Sequence, residues 1–245
     1  MVSASVHASP KGARTGALVC DALIPALDEG ESLPAVLAAL EGCGFRAVWV
    51  VDNGSRDDTY RAARAGGARA LYCGRRGYGA ACLRGLQAMR DAPPEVVVFL
   101  DADGADDPTD LDALLGPIER GEAELVIGSR VSGEAEAGAL TPVQRFGNGL
   151  AGLLIGALWG RRFTDLGPFR AVRWETLERL EMTDPDFGWT VEMQARAARL
   201  GVRTVEVPVR YRRRRAGQSK IAGTIGGSVR AGTKILWVIA RELSR

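Results

Sequence analysis

Two aspartates at alternate positions, Asp101 and Asp103, follow the apolar run Val96–Leu100 with only Ala102 between them. Carboxylates at that spacing, on a loop leaving a strand, can hold one hard divalent cation and leave positions open for phosphate oxygens. Such a cation, Mg2+ or Mn2+, would neutralise charge on a departing diphosphate. Asp-x-Asp alone is a common tripeptide that often caps a helix, the role expected of Asp107 before Pro108. Company raises the metal reading. Acidic residues also follow two other apolar runs, as Pro25-Ala26-Leu27-Asp28-Glu29 and Asp52-Asn53-Gly54-Ser55. Asp52 has two readings, a tight turn or an acceptor of hydrogen bonds from a base edge or ribose; its place as the first residue off a strand favours the second. Gly54 reads as structural.

Charge is unevenly spread. The net charge is only +2, yet Arg210, Arg212, Arg213, Arg214, Arg215 and Lys220 crowd one stretch, and Asp101, Asp103, Asp106, Asp107, Asp110 and Asp112 another. The basic stretch reads either as a solvated edge or as a phosphate-binding loop made pliable by Gly217. No nucleic-acid module accompanies it, so no nucleic acid is expected as a partner. Gly74-Arg75-Arg76-Gly77-Tyr78-Gly79 offers a glycine-rich loop but matches neither the dinucleotide fingerprint nor a P-loop.

The one histidine, His7, lies in the polar leader, so carboxylates must carry any acid, base or metal work in the folded body. Cys20, Cys43, Cys73 and Cys82 show no CxxC spacing, which excludes a zinc site or disulfide framework of the usual pattern and fits a reducing cytoplasm. The leader lacks a signal-peptide core. The longest apolar stretch, Gly149–Trp159, falls short of the roughly 20 residues that span a bilayer and reads as a core helix or an interfacial one.

The elements that must position these residues follow from periodicity. Ala17–Ile24, Ala47–Val51, Ala70–Tyr72, Val96–Leu100 and Leu125–Ile127 read as buried strands alternating with helical patterns, the βαβ rhythm of a parallel sheet. Helix starts are expected at Ser32 with Pro34, at Asp57-Asp58-Thr59 and at Asp107. Further on, Pro142–Trp159, Arg173–Glu181 and Trp189–Leu200 read as helices, the last closed by Gly201, and Arg203–Pro208 as a strand. The division expected is a flexible leader over 1–16, one α/β domain over 17–222, and an amphipathic helical tail over 223–245 that packs on the body or lies on a membrane surface. Ligands of open parallel sheets bind outside the carboxyl ends of the strands, so the acidic clusters should meet there.

Taken in order, these motifs resemble family 2 of the inverting glycosyltransferases, especially the dolichyl- or polyprenyl-phosphate sugar transferases. The likeness runs from about Leu18 to Lys220 and adds Gly77-Tyr78-Gly79-Ala80-Ala81, Gly128-Ser129-Arg130, Asp165-Leu166-Gly167-Pro168-Phe169-Arg170 and Arg214-Arg215-Ala216-Gly217-Gln218-Ser219-Lys220. The resemblance implies a GT-A fold, Rossmann-like with a mostly parallel sheet. It implies a nucleotide-sugar site at Pro25, Ala26, Leu27, Glu29, Asp52, Gly79, Asp101, Ala102 and Asp103, with the metal at Asp101 and Asp103. It also implies arginines near an acceptor phosphate at Arg130 and Arg145, and a lid of Arg214, Ser219 and Lys220. Three positions depart from the pattern: Asp28 where relatives usually have Asn, Asn53 where many have Asp, and Ala105 where lipid-phosphate mannosyl transferases often have Gln. Water or Asp106 is the substitute ligand for that Gln.

The expected donor is a UDP- or GDP-linked sugar and the expected acceptor a polyprenyl phosphate, used by a cytoplasmic enzyme able to sit peripherally on a membrane. A phosphate acceptor is already ionised near neutral pH and needs no strong base. A soluble hydroxyl acceptor, the alternative, would need one, with Asp165 or Glu192 the candidates. An inactive nucleotide-sugar-binding protein is the non-enzyme alternative, and retention of both Asp101 and Asp103 argues against it.

Overall fold

The computed structural model describes residues 18–214 and 225–245, with the side chains of the last helix from residue 232 onward. The leader with His7, and the lid residues Ser219 and Lys220, lie outside the described residues.

Seven strands form one sheet: β1 (Cys20–Ala26), β2 (Ala47–Asp52), β3 (Arg69–Tyr72), β4 (Val96–Phe99), β5 (Leu125–Ser129), β6 (Arg170–Arg173) and β7 (Thr204–Pro208), in the order β3-β2-β1-β4-β6-β5-β7. Every pairing is parallel except those of β6, which runs antiparallel to both β4 and β5. The short apolar runs become strands because alternate side chains are buried on opposite faces of the sheet. Leu23 joins Val51, Val97 and Phe99 on one face, and Ala22 and Ile24 join Val50, Val96 and Val98 on the other. Each large aliphatic side chain so buried stabilises the fold by roughly 1.5–3 kcal/mol.

Helices cover both faces. On one lie α1 (Leu33–Leu40), α2 (Thr59–Ala65) and α4 (Leu111–Glu119). On the other lie α3 (Tyr78–Met89), α5 (Pro142–Trp159), α6 (Trp174–Leu180), α7 (Trp189–Arg199) and α8 (Ile225–Leu243). The expected starts hold in position, but neither Ser32 nor Asp58 caps its helix with its side chain. Thr141 caps α5 through a reciprocal bond with Gln144, and Asp107 accepts from the Thr109 amide. Ser32 begins α1 without capping it, because its hydroxyl is turned toward the site. Gly201 follows α7 with φ of 64°, the left-handed turn expected of it. Strand β6 was not foreseen: its sequence, Arg-Ala-Val-Arg, is too short and too charged at its ends to read as a buried strand. The last helix packs on the body through Val238 and Ile239, both buried. Among the described residues no helix is long and apolar enough to cross a membrane.

Candidate active site

Strands β2, β1 and β4 are adjacent and parallel, so their carboxyl ends bring Asp52, the Pro25–Glu29 segment and Asp101-Ala102-Asp103 to one edge of the sheet. Local bonds hold them there. Ser32 Oγ lies 2.9 Å from both Glu29 Oε2 and the Ala102 carbonyl, tying the first loop to the third. Asp52 is buried and accepts the Ser55 amide at 2.9 Å, so the turn reading and a site position coexist in one residue. Asp28 takes a left-handed φ of 51° and accepts the Arg56 amide, while Asn53 bonds the Gly77 amide and the Arg75 carbonyl. Two of the three positions that depart from the family pattern, Asp28 and Asn53, thus bind loops to each other. Gly79 sits against the chain at Asp184, where an added Cβ would lie 1.9 Å from the carbonyl oxygen. Its lack of a side chain admits that close approach.

Asp101, Asp103 and Asp106 crowd one corner. Burial first, then the charges of Asp103 and Asp106, push the Asp101 carboxyl well above the ordinary range. Burial also raises Asp106 to about 7, although one of its oxygens accepts the Asp101 amide at 3.0 Å. Its other oxygen, like Asp103 Oδ2, is buried and accepts no hydrogen bond among the described residues. Arg214 Nε stands 3.0 Å from Asp103 Oδ2, an ion pair without hydrogen-bond alignment, and its Nη1 lies 3.4 Å from Glu29 Oε1. Among the described residues no three acidic, cysteine or histidine side chains form a ligand set. Asp106, the expected substitute ligand, gives one oxygen to the Asp101 amide and keeps the other without a hydrogen bond among the described residues.

The two charge runs of the sequence meet each other here. Beyond β7 the chain stays extended, and Arg210, Arg212 and Arg214 reach Asp110, Asp107 and Asp103 in turn. Three described arginines of the run are therefore neutralised by the acidic run. Tyr211, on the opposite side of this segment, bridges Asp106 through its backbone and lies under Arg130, whose guanidinium is 4.9 Å from the ring centre.

Arg130 is buried and forks onto Asp165, with Nε–Oδ2 at 2.8 Å and Nη2–Oδ1 at 2.7 Å. Burial works against its charge, but the hydrogen bonds and charge of Asp165 outweigh it and hold its pKa above the ordinary arginine value. Asp165 further accepts from Asn148 on α5 at 2.6 Å and from the Arg130 amide at 2.8 Å. Arg145 is exposed in the first turn of α5, three residues and one turn before Asn148, so one helix links it to the Arg130–Asp165 pair. Arg170, wholly buried, bonds only carbonyls of residues 166, 167 and 190 among its oxygen partners, and burial pulls its pKa down to about 10. It pins the 165–169 loop beside α7.

Glu192 is elsewhere engaged. It is buried on α7, accepts Thr183 Oγ1 and the amides of Thr183 and Asp184, and pairs with Arg196 and Arg241. Every lone-pair direction open to it is used for architecture, and Asp165 is equally committed. Neither suits a proton acceptor as placed here. Sequence reasoning passed over Asn148, Tyr211 and Ser32, the residues that orient the site. An isolated Tyr within an arginine run, and a polar residue inside an apolar helix, were the available signals.

The comparisons with known proteins agree with this geometry. The model of glycosyl transferase family 2 matches residues 21–181. An uncharacterized glycosyltransferase of Mycobacterium tuberculosis is 39% identical over 208 residues, 84% of this chain and 91% of the relative. An undecaprenyl-phosphate mannosyltransferase of Micrococcus luteus is 34% identical over 219 residues, 84% of this chain and 88% of the relative. Among solved structures, glucosyl-3-phosphoglycerate synthase from M. tuberculosis, in complex with Mn2+, UDP-glucose and phosphoglyceric acid, superposes with a TM-score of 0.71 at 25% identity, covering 92% of this chain and 81% of that one. A mixed seven-stranded sheet with acidic loops at its carboxyl edge, matched by the family model over most of its length, makes this chain a member of glycosyl transferase family 2 with the GT-A fold.

Proposed function

We propose that this chain is an inverting hexosyltransferase that moves a sugar from a UDP- or GDP-linked donor to the phosphate of a polyprenyl lipid. The observation that carries the acceptor is the saturation of Asp165 and Glu192 by buried donors. A hydroxyl nucleophile needs a base within hydrogen-bond reach, whereas a phosphate monoester, with its second pKa near about 6, arrives as an anion. The 34% identity to a protein named undecaprenyl-phosphate mannosyltransferase supports the same reading.

In this reading Pro25, Ala26, Leu27, Glu29, Asp52 and Ala102 wall the nucleotide, and Gly79 keeps the neighbouring loop close. Asp101 and Asp103 fit a divalent cation, Mg2+ or Mn2+. They are hard oxygen donors, they repel each other as they stand, and a buried oxygen of Asp103 accepts no hydrogen bond. When bound, the ion supplies charge stabilisation for the departing diphosphate. Arg214 holds phosphate oxygens beside it, joined by Ser219 and Lys220 from beyond the described residues. Arg145 meets the acceptor phosphate, and Arg130, oriented by Asp165, adds positive charge behind it. The reaction is one in-line displacement, so orientation of the two phosphates is the chief task of these side chains.

A soluble acceptor is the second reading, favoured by the likeness to an enzyme whose structure holds phosphoglyceric acid. Purified protein offered UDP- and GDP-sugars, with a short polyprenyl phosphate and simple sugars in parallel, decides between them by product mass. A glycosyl phosphate on the lipid is expected. Efficient transfer to a free hydroxyl with the lipid phosphate inert would overturn the acceptor assignment.

A further inference from the structure

From Gly149 to Trp159 helix α5 is apolar all round, yet only one of its faces is covered by protein. Ala151, Gly152 and Ile155 are buried, with Gly152 so close to Phe163 that an added Cβ would lie 1.9 Å from its carbonyl oxygen. The opposite stripe, at positions 143, 146, 150, 153 and 157, faces outward. Val143 is 52%, Phe146 72% and Leu153 54% exposed. Solvent normally faces charged and polar side chains on a surface helix, so an exposed apolar stripe marks a surface that meets something apolar. Helix α8 packs against α5, with Ile235 beside Gly147, and adds exposed Leu236 and Trp237. Lys234 and Arg241 flank the Trp237 ring at 5.0 and 4.8 Å.

Charge selects the occupant. From residue 137 to residue 164 the chain holds no Asp or Glu but carries Arg145, Arg161 and Arg162, all exposed. From Ile225 to Arg241 it again holds no acidic residue and carries Arg230, Lys234 and Arg241. Lys234 and Arg241 are paired with Asp184 and Glu192, so among the described residues the free cations at the stripe are those of the α5 side, Arg145, Arg161 and Arg162. A stripe of Phe, Val and Leu edged by exposed arginines matches an anionic bilayer surface, where apolar side chains enter the acyl boundary and arginines meet headgroups. We infer that the outer face of α5, with the adjoining side of α8, docks this protein on an anionic membrane. This extends the lipid-phosphate reading above: Arg145, at the edge of the stripe, would stand at headgroup level one turn from Asn148 on the same helix.

The full chain is sedimented with vesicles of phosphatidylglycerol mixed into phosphatidylcholine, and with phosphatidylcholine alone, neither containing polyprenyl phosphate. Binding to the anionic vesicles is expected, at least about tenfold tighter than to the neutral ones. The double variant Phe146→Glu, Leu153→Glu should lose at least about tenfold of that binding, with its melting temperature and nucleotide-diphosphate binding unchanged because both side chains face outward. Wild-type protein that ignores the anionic vesicles, or a double variant that binds as well as wild type, overturns the inference. So does a wild-type dimer in light scattering that the double variant splits while vesicles go unbound, which would make the stripe a contact between copies. Because no polyprenyl phosphate is present, failure of lipid glycosylation beside intact vesicle binding counts against the acceptor reading alone.

Discussion

Two buried charge clusters in this molecule are built from the same residue types and do different work. Beneath α8, Asp184, Glu192 and Glu242 face Arg196, Lys234 and Arg241, three carboxylates against three cations, joined by contacts of 2.5–3.1 Å. At the carboxyl edge of the sheet, Asp101, Asp103 and Asp106 stand together, and of the three Asp103 pairs with Arg214, which is part-exposed and also leans to Glu29. The first cluster is balanced and welds α7 to α8. The second is short of positive charge, and burial with neighbouring carboxylates holds Asp101 and Asp106 toward their protonated forms. Imbalance is costly to maintain in a fold and is tolerated where a cationic ligand restores it, so the difference separates architecture from site.

That contrast can be broken by substitution. Glu192→Gln should have the largest effect, on stability: it leaves Arg196 and Arg241 under-paired in the interior, a loss of about 3–5 kcal/mol by chemical denaturation. A mild loss of stability with abolished turnover would instead make Glu192 part of the chemistry. Asp103→Asn should do the reverse. Turnover should fall on the order of 10²–10³-fold while the melting temperature stays level or rises, since one of three crowded carboxylates is neutralised. Calorimetry with nucleoside diphosphate and Mn2+ should show the metal-dependent part of the affinity gone. Unchanged metal-dependent affinity in that folded variant would remove the ion from Asp101 and Asp103. Arg214→Gln sharpens the comparison at the cation that pairs with Asp103: a loss of about tenfold in turnover, the size of one charge-assisted hydrogen bond, with little change in melting. Arg210→Gln, whose pair with Asp110 is half-exposed, should change stability by less than about 1 kcal/mol and turnover hardly at all.

Much of this was legible before any coordinates. Buried strands announce themselves by apolar runs, and six of the seven, all but β6, were placed within a few residues of their bounds. Helix α5 was located at both ends as Pro142–Trp159, and in the structure Thr141 caps its start and Gly160, left-handed at φ of 72°, closes it. The Asp101–Asp103 pair was legible for the same reason: a strand of Val and Phe ends where two carboxylates begin. Strand β6 was hidden because its burial comes from neighbours on both sides and not from its own pattern, and Arg170 is tolerated in the core only because backbone carbonyls surround it.

By itself the sequence determined the class of fold, the three acidic loop ends, the absence of histidine from the body of the chain and the family to which the motifs belong. These depend on residue type and short spacing, which the chain carries in every conformation. Only the tertiary structure decided which charges meet. The arginines at 210, 212 and 214 lie about a hundred residues from the aspartates they pair with, Glu192 is drawn into the weld between α7 and α8, and Asp165 is spent on Arg130 and Asn148. A carboxylate can be structural glue, a metal ligand or a base; its neighbours in space, set by the packing of distant segments, determine how many donors reach it and so which of these it becomes.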